Sequence, residues 1–248
     1  AASDVYKRQV STYMRRIRCV YNKAIEDGDA EYIPGLFQGV FTGVESKRKK
    51  SLSLENQHKL MTVKVESEVL RETQLVVCLL FQYAGMSFVD FAHLKERNIK
   101  NGILDYNRQK TGTPMRLEIL DTAELMRKEL MGDKKPASGY LFPFLSGTKT
   151  GYEAYLEYNA ALSRFNRNLK ALKKAAGIAS DVTSYTIRHS FAMALKEQNV
   201  PIEMISELLG HKSIKTTQIY LRSFSLEKMT EVNSTCFGCV YNYVSKVG

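Results

Sequence analysis

Residues 183–220 read TSYTIRHSFAMALKEQNVPIEMISELLGHKSIKTTQIY, and the spacing of their apolar positions decides the fold of this region. Ile187, Phe191, Ala194 and Leu195 follow the helical period, so a helix carries Arg188 and His189, with that face inward and the arginine pointing away from it. Pro201 is a good first-turn residue for a second helix that buries Ile202, Ile205, Leu208 and Leu209 and stops at Gly210. His211 then lies in the turn after a helix end. Ser213 caps a third, short helix, and Tyr220 falls about two turns into it. A guanidinium on one helix, an imidazole in the turn after a second and a phenol on a third thus follow one another.

Working outward, the chain of 248 residues is 44% hydrophobic, enough for one large domain or a domain plus a fragment. Lys and Arg outnumber Asp and Glu by 36 to 26, a net charge of +10 with a pI near 9.3. That balance suits a polyanion and makes nucleic acid the first candidate, although a solubility device or a membrane-facing patch has the same charge. The longest apolar run, Leu75 to Leu80, is too short to span a bilayer, and the N-terminus has no leader pattern, so a cytoplasmic location is expected. Cys236-Phe-Gly-Cys239 has zinc-ligand spacing without a second pair, so incidental thiols are expected there, and Cys78 reads as a small core residue.

Residues 10–26 form a helix with Val10, Tyr13, Met14, Ile17, Val20, Tyr21 and Ile25 on one stripe. Glycines and the run Lys47-Arg48-Lys49-Lys50 then mark a linker. Ser53 opens a helical region, and Val69 to Ala84 is apolar nearly all round, as a buried central helix should be; Gly85 ends it. Asn101-Gly102 is a hairpin signal between β-rich runs. With a second turn at Lys110-Thr111-Gly112-Thr113, it predicts a three-stranded antiparallel sheet from Arg97–Lys100, Ile103–Arg108 and Met115–Leu120. If the second strand reaches Lys110, Arg108 and Lys110 share a face. Asp121 with Glu124 reads as a capping box for a helix through Met131, followed by a long connection to Gly151. A helix over Asn159–Ala176 turns Leu162, Phe165, Leu169 and Leu172 inward and Arg164, Arg167, Lys170, Lys173 and Lys174 outward. That row, with Lys47 and Arg48, is a candidate DNA-backbone surface, a solvated face being the alternative.

The order Arg188-His189, then Leu209-Gly210-His211, then Thr216-Thr217-Gln218-Ile219-Tyr220 resembles the catalytic stretch of the tyrosine recombinases, the phage integrase family. The resemblance implies a mainly α catalytic domain with a small three-stranded antiparallel sheet. It also implies a division into the last helix of a core-binding domain (1–34), a linker (35–50), the catalytic domain (51–225) and a tail (226–248) that docks on a neighbouring protomer or folds back in cis. It implies a cytoplasmic, nucleoid-associated enzyme acting on double-stranded DNA as a homo-oligomer, a tetramer, with DNA-bending accessory proteins. Where the family has G-x-R-x-x-E/D-x-x-x-L, this chain reads G-M-S-F-V-D-F-A-H-L: Ser87 replaces the clamp arginine and Asp90 matches the acidic position. Integrases of Bacteroidetes mobile elements have a similar G-M-x-F-x-D.

In that family Tyr220 attacks the scissile phosphate to form a 3′-phosphotyrosyl link, Arg188 grips a non-bridging oxygen, His211 hydrogen-bonds the phosphate, and Lys110 protonates the leaving 5′ oxygen; no metal or other cofactor is required. Tyr185 stands where H-x-x-R would have histidine. A phenol can donate to phosphate but is a poor base near neutrality. His189 fits a structural hydrogen-bonding role, and Arg108 is the candidate replacement for the missing clamp arginine. A site-specific recombinase that integrates or excises a mobile element is the leading reading. A type IB topoisomerase-like enzyme, and a DNA-binding regulator without catalysis, remain alternatives.

Overall fold

The computed structural model describes residues 2–40, 51–136, 139–221 and 229–235. Lys47, Arg48, Cys236 and Cys239 lie outside the described residues; of the tail, only the helical piece 229–235 is described. The chain divides into two compact units, Ala1–Lys49 and Lys50–Gly248. Among the described residues no helix is long and apolar enough to cross a membrane.

The first unit is a helix, α1 (Ala2–Glu26), followed by turns folded back on it. Tyr21 receives a hydrogen bond from Ile33 N at 2.6 Å and donates to Glu31 O at 3.0 Å, while the Arg18 guanidinium lies 5.0 Å from the centre of the Phe37 ring. The helix begins eight residues before Val10, since the apolar stripe marks its face and not its start.

In the second unit α2 (Leu54–Thr62) starts at Ser53, whose hydroxyl accepts from Asn56 N. α3 (Glu68–Gln82) is the central helix, with every residue from Thr73 to Leu80 buried. Its polar member Gln74 is satisfied by donating to Val63 O at 2.8 Å and accepting from Arg71, which also forks onto Glu129 at 2.6 and 2.9 Å. That pairing ties α3 to α5 (Asp121–Met131) and holds the Glu129 carboxyl below its usual range. Burial pushes the Cys78 thiol up to about 11, as befits a core residue. Ala84 and Gly85, both at positive φ, turn the chain into α4 (Phe88–Ala92). Phe88 stacks on Phe165 at 4.7 Å and Phe91 on Phe142 at 4.1 Å, so α4 is clamped between aromatic rings and carries Ser87 and Asp90 on a fixed frame.

The sheet is β1 (Ile99–Lys100), β2 (Ile103–Asn107) and β3 (Pro114–Glu118), antiparallel in that order, with Leu104 opposite Leu117 and Tyr106 opposite Met115. Asn101 and Gly102 both have positive φ, as a two-residue hairpin turn of the primed type needs. β2 stops at Asn107, because Gly112 N closes onto Arg108 O at 2.8 Å and turns the chain. Arg108 and Lys110 therefore do not share a face: Arg108 is buried and Lys110 is exposed in the turn. Residues 97 and 98 belong to a 3₁₀ turn rather than to β1.

The expected capping box at α5 is absent. Leu120 is the N-cap, and Glu124 turns to Arg127 at 2.7 Å, which lowers its carboxyl below the usual range. α6 (Gly151–Ala175) starts eight residues earlier than Asn159. α7 (Ser184–Glu197) opens with a reciprocal cap between Thr183 and Thr186; α8 (Ile202–Leu208) and α9 (Ile214–Tyr220) follow, α9 capped by Ser213. The buried hydroxyl of Ser190 on α7 donates to Thr186 O at 2.8 Å and accepts from Leu52 N at 2.9 Å, fastening the start of the unit to α7. Ser190→Ala strands that buried N–H and should destabilise the unit by about 1–3 kcal/mol, read as a lower urea midpoint with unchanged slope.

Candidate active site

Arg188 is only 4% exposed, so it does not point away from the core as the helical stripe predicts. A guanidinium can be buried only if its N–H groups find acceptors, and two helix ends supply them. The carbonyls of the last helical turn have no partner inside their own helix and carry the negative end of its dipole. Arg188 Nη1 donates to Gly85 O at 2.9 Å, just past the end of α3, and Nη2 donates to Leu209 O at the end of α8. α7 thus delivers a cation into the gap between two carbonyl-rich termini.

Arg108 reaches the same place from the sheet. Its Nη1 donates to Leu209 O at 3.1 Å and Gly210 O at 3.0 Å, and its Nε lies 3.4 Å from Asp90 Oδ2. Asp90 is placed by two further donors, Ser87 Oγ with a 2.6 Å bond to Oδ2 and Gln109 N with a 2.7 Å bond to Oδ1, while α4 fixes its backbone. Ser87 is therefore no vacant position. It caps α4 and aims the carboxylate that holds Arg108, and Arg108 Nη2 keeps no protein partner among the described residues. Asp90 pairs with Arg108, and with Arg188 beside them two buried guanidiniums and one carboxylate gather at this place, a setting that favours a bound anion.

Gly210 (φ 59) makes room for this arrangement: a Cβ there would lie 2.7 Å from Arg108 Cδ and also strike Met115. The turn it forms directs His211 toward the arginines. His211 Nε2 lies 3.5 Å from Arg188 Nη2, and Nδ1 lies 2.8 Å from Thr217 Oγ1 on α9. Tyr220 is the last residue of α9; its side chain is outside the described part of the structure. Lys110 stands exposed in the turn two residues beyond Arg108. Tyr185, one helical turn before Arg188, is 44% exposed, whereas His189 is fully buried behind the site.

Arg108, Arg188, His211 and Asp90 are thus brought together. Arg164, Arg167, Lys170 and Lys174 line the exposed side of α6 as expected, but Lys173 does not: its ammonium folds back onto Ala179 O at 3.2 Å and Ser180 O at 2.9 Å. Arg116 lies on the exposed face of β3. The sequence reading missed Tyr106, two residues before Arg108 on the buried face of β2, whose phenol is raised well above its usual range by burial and by the Asp90 charge. Strand alternation from Arg108 back to Tyr106 was the available signal. It also missed Thr217 and the Leu209 and Gly210 carbonyls; no side-chain pattern encodes the latter two.

Among known proteins, the tyrosine recombinase XerA of Pyrococcus furiosus is 32% identical over 177 residues, 70% of this chain and 57% of that relative. The chain spans only 18% to 24% of the length of XerD of Lacticaseibacillus casei and XerC of Rickettsia typhi, which match over shorter stretches. Two solved structures share the fold at low identity. The Tn1549 transposon integrase in complex with a circular intermediate DNA has a TM-score of 0.64 at 15% identity, covering 89% of this chain and 77% of that one. A lambda integrase tetramer bound to a Holliday junction has a TM-score of 0.56 at 20% identity, covering 83% and 58%. The phage integrase family matches residues 50–227, well over half of the sequence, and the chain belongs to that family.

Proposed function

We propose that this chain holds the catalytic domain of a site-specific DNA recombinase that cuts and rejoins DNA through a 3′-phosphotyrosyl intermediate, integrating or excising a mobile element. The observation that carries the reading is the meeting of Arg108 and Arg188 at the Leu209 carbonyl, beside His211, on the turn that leads into the helix ending at Tyr220. Transesterification at a phosphodiester needs an in-line nucleophile, cations on two non-bridging oxygens and a proton for the leaving oxygen. Tyr220 is the nucleophile, the two arginines form the clamp, Lys110 gives its proton to the departing 5′ oxygen, and Tyr185 contacts the phosphate from the exposed end of α7. The phosphotyrosyl ester keeps the bond energy, so a 5′-hydroxyl of another strand reverses it without a cofactor.

Double-stranded DNA is the substrate, approached by the exposed cations Arg164, Arg167, Lys170 and Lys174, and by Lys47 and Arg48 of the linker. Residues 1–34 serve as the end of a core-binding domain, and the working form is a tetramer on DNA, with the tail from residue 226 on a neighbouring protomer and DNA-bending proteins assisting. The Tn1549 and lambda integrase structures, on a circular intermediate and on a Holliday junction, support this choice of substrate and assembly. Against a regulator without catalysis stands Arg108, which restores the cation that Ser87 removes.

A nicked suicide substrate, from which the leaving fragment diffuses away, tests the chemistry. Tyr220→Phe should abolish the covalent adduct and leave DNA affinity within about twofold, as only a hydroxyl is lost; adducts at wild-type yield would remove Tyr220 from the reaction. Arg108→Ala should lower single-turnover cleavage by about 10²–10³ with the circular dichroism spectrum retained, and Arg108→Lys should not restore it, since the fork onto Leu209, Gly210 and Asp90 is lost. A rate within twofold of wild type would take Arg108 out of the clamp. Strand exchange, and not supercoil relaxation alone, separates a recombinase from a type IB topoisomerase-like enzyme.

A further inference from the structure

Leu104, Tyr106 and Arg108 are buried while Asp105 and Asn107 between them are exposed, so Tyr106 and Arg108 leave the chain on the same side. Tyr106 stands opposite Met115 in the sheet, and Met115 and the stem of Arg108 both pack against Gly210 where a Cβ would be. The phenol ring therefore lies beside the turn that follows α8. Burial pushes its hydroxyl well above the usual range, the Asp90 carboxylate pushes it further, and the Arg188 and Arg108 guanidiniums act against both. A phenol that senses all three charges has its hydroxyl end turned toward them. Raised in this way, it stays O–H at any working pH and is a neutral donor.

Among the described residues that hydroxyl has no hydrogen-bond partner, although Tyr106 is 7% exposed, as deeply buried as Arg108 at 8%. A phenylalanine would fill the same space without the cost of a buried, unanswered O–H. Arg108 holds a second such donor: Nε and Nη1 are taken by Asp90, Leu209 O and Gly210 O, which leaves Nη2. Two buried donors from neighbouring side chains on one strand face call for an acceptor that comes from outside the chain. We propose that the Tyr106 hydroxyl donates to the anion received at this site, alongside Nη2 of Arg108. The identity of that anion rests on the recombinase reading, in which it is a non-bridging oxygen of the scissile phosphate. The phenol then adds a hydrogen bond where negative charge grows at the five-coordinate phosphorus, without adding a charge that tightens binding to the ground state equally.

In the full chain, Tyr106→Phe removes the hydroxyl and little else. Single-turnover cleavage of the suicide substrate should fall about 100-fold, the cost of one preorganised donor, with DNA affinity within about twofold and the urea midpoint unchanged or higher. Tyr83→Phe is the control. That phenol is 1% exposed and its hydroxyl is also without a partner among the described residues, but it senses Arg127 and Glu124 instead of the clamp, so its rate should stay within about twofold. A Tyr106→Phe rate within about twofold of wild type overturns the proposal and leaves the recombinase reading intact. An equal loss in Tyr83→Phe, or a lowered urea midpoint in Tyr106→Phe, also overturns it, because the hydroxyl is then structural. Absence of adducts from every protein, wild type included, rejects the recombinase reading, and inorganic phosphate then decides. With 3-fluorotyrosine incorporated, the ¹⁹F signal lost in Tyr106→Phe should move saturably as phosphate is added, and an unmoved signal overturns the proposal.

Discussion

The carbonyl of Leu209 accepts from two buried guanidiniums, one from α7 and one from the turn after β2. Much of the second unit follows from the need to satisfy these two cations away from water. Left unpaired, either would be among the most costly groups to bury. Among the described residues the acceptors include three carbonyls beyond helix ends and the Asp90 carboxylate, which pairs with Arg108. A carbonyl satisfies a guanidinium N–H without cancelling its charge.

The supporting framework keeps those carbonyls in place. α3 is buried along eight consecutive residues, and just past its end the Phe191 ring packs so close to Gly85 that an added Cβ would lie 2.8 Å from it, so the acceptor for Arg188 follows directly on a buried helix. α4 is held by stacked phenylalanines, and its carboxylate is aimed by Ser87. Gly210 lets α8 end within van der Waals reach of the Arg108 stem. Preorganisation of this kind lets charge act on a developing anion without the protein having to rearrange first.

Where burial wrote a period into the sequence, the sequence was legible. Leu75 to Leu80 announced α3, Asn101-Gly102 announced the hairpin, and Pro201, Gly210 and Ser213 bounded α8 and α9. The start of α6 was hidden because Tyr152, Tyr155 and Leu156 are exposed, so its first two turns show no inward stripe. Glu124 reads as half of a capping box, but Arg127 competes for it three residues on, and an ion pair with a close guanidinium won over a backbone N–H. Arg188 and Arg108 were legible as reactive groups and illegible as buried ones, because their partners are main-chain oxygens contributed by segments up to 103 residues away. Side-chain patterns carry no record of a carbonyl.

Ser87, Asp90 and Arg108 are joined through a single carboxylate. The serine caps α4 and aims Asp90, and that carboxylate in turn receives the guanidinium that arrives from the strand turn. One acid thus links a helix start to a hairpin, and substitutions at the three positions are expected to be non-additive, because each changes what the other two have to hold.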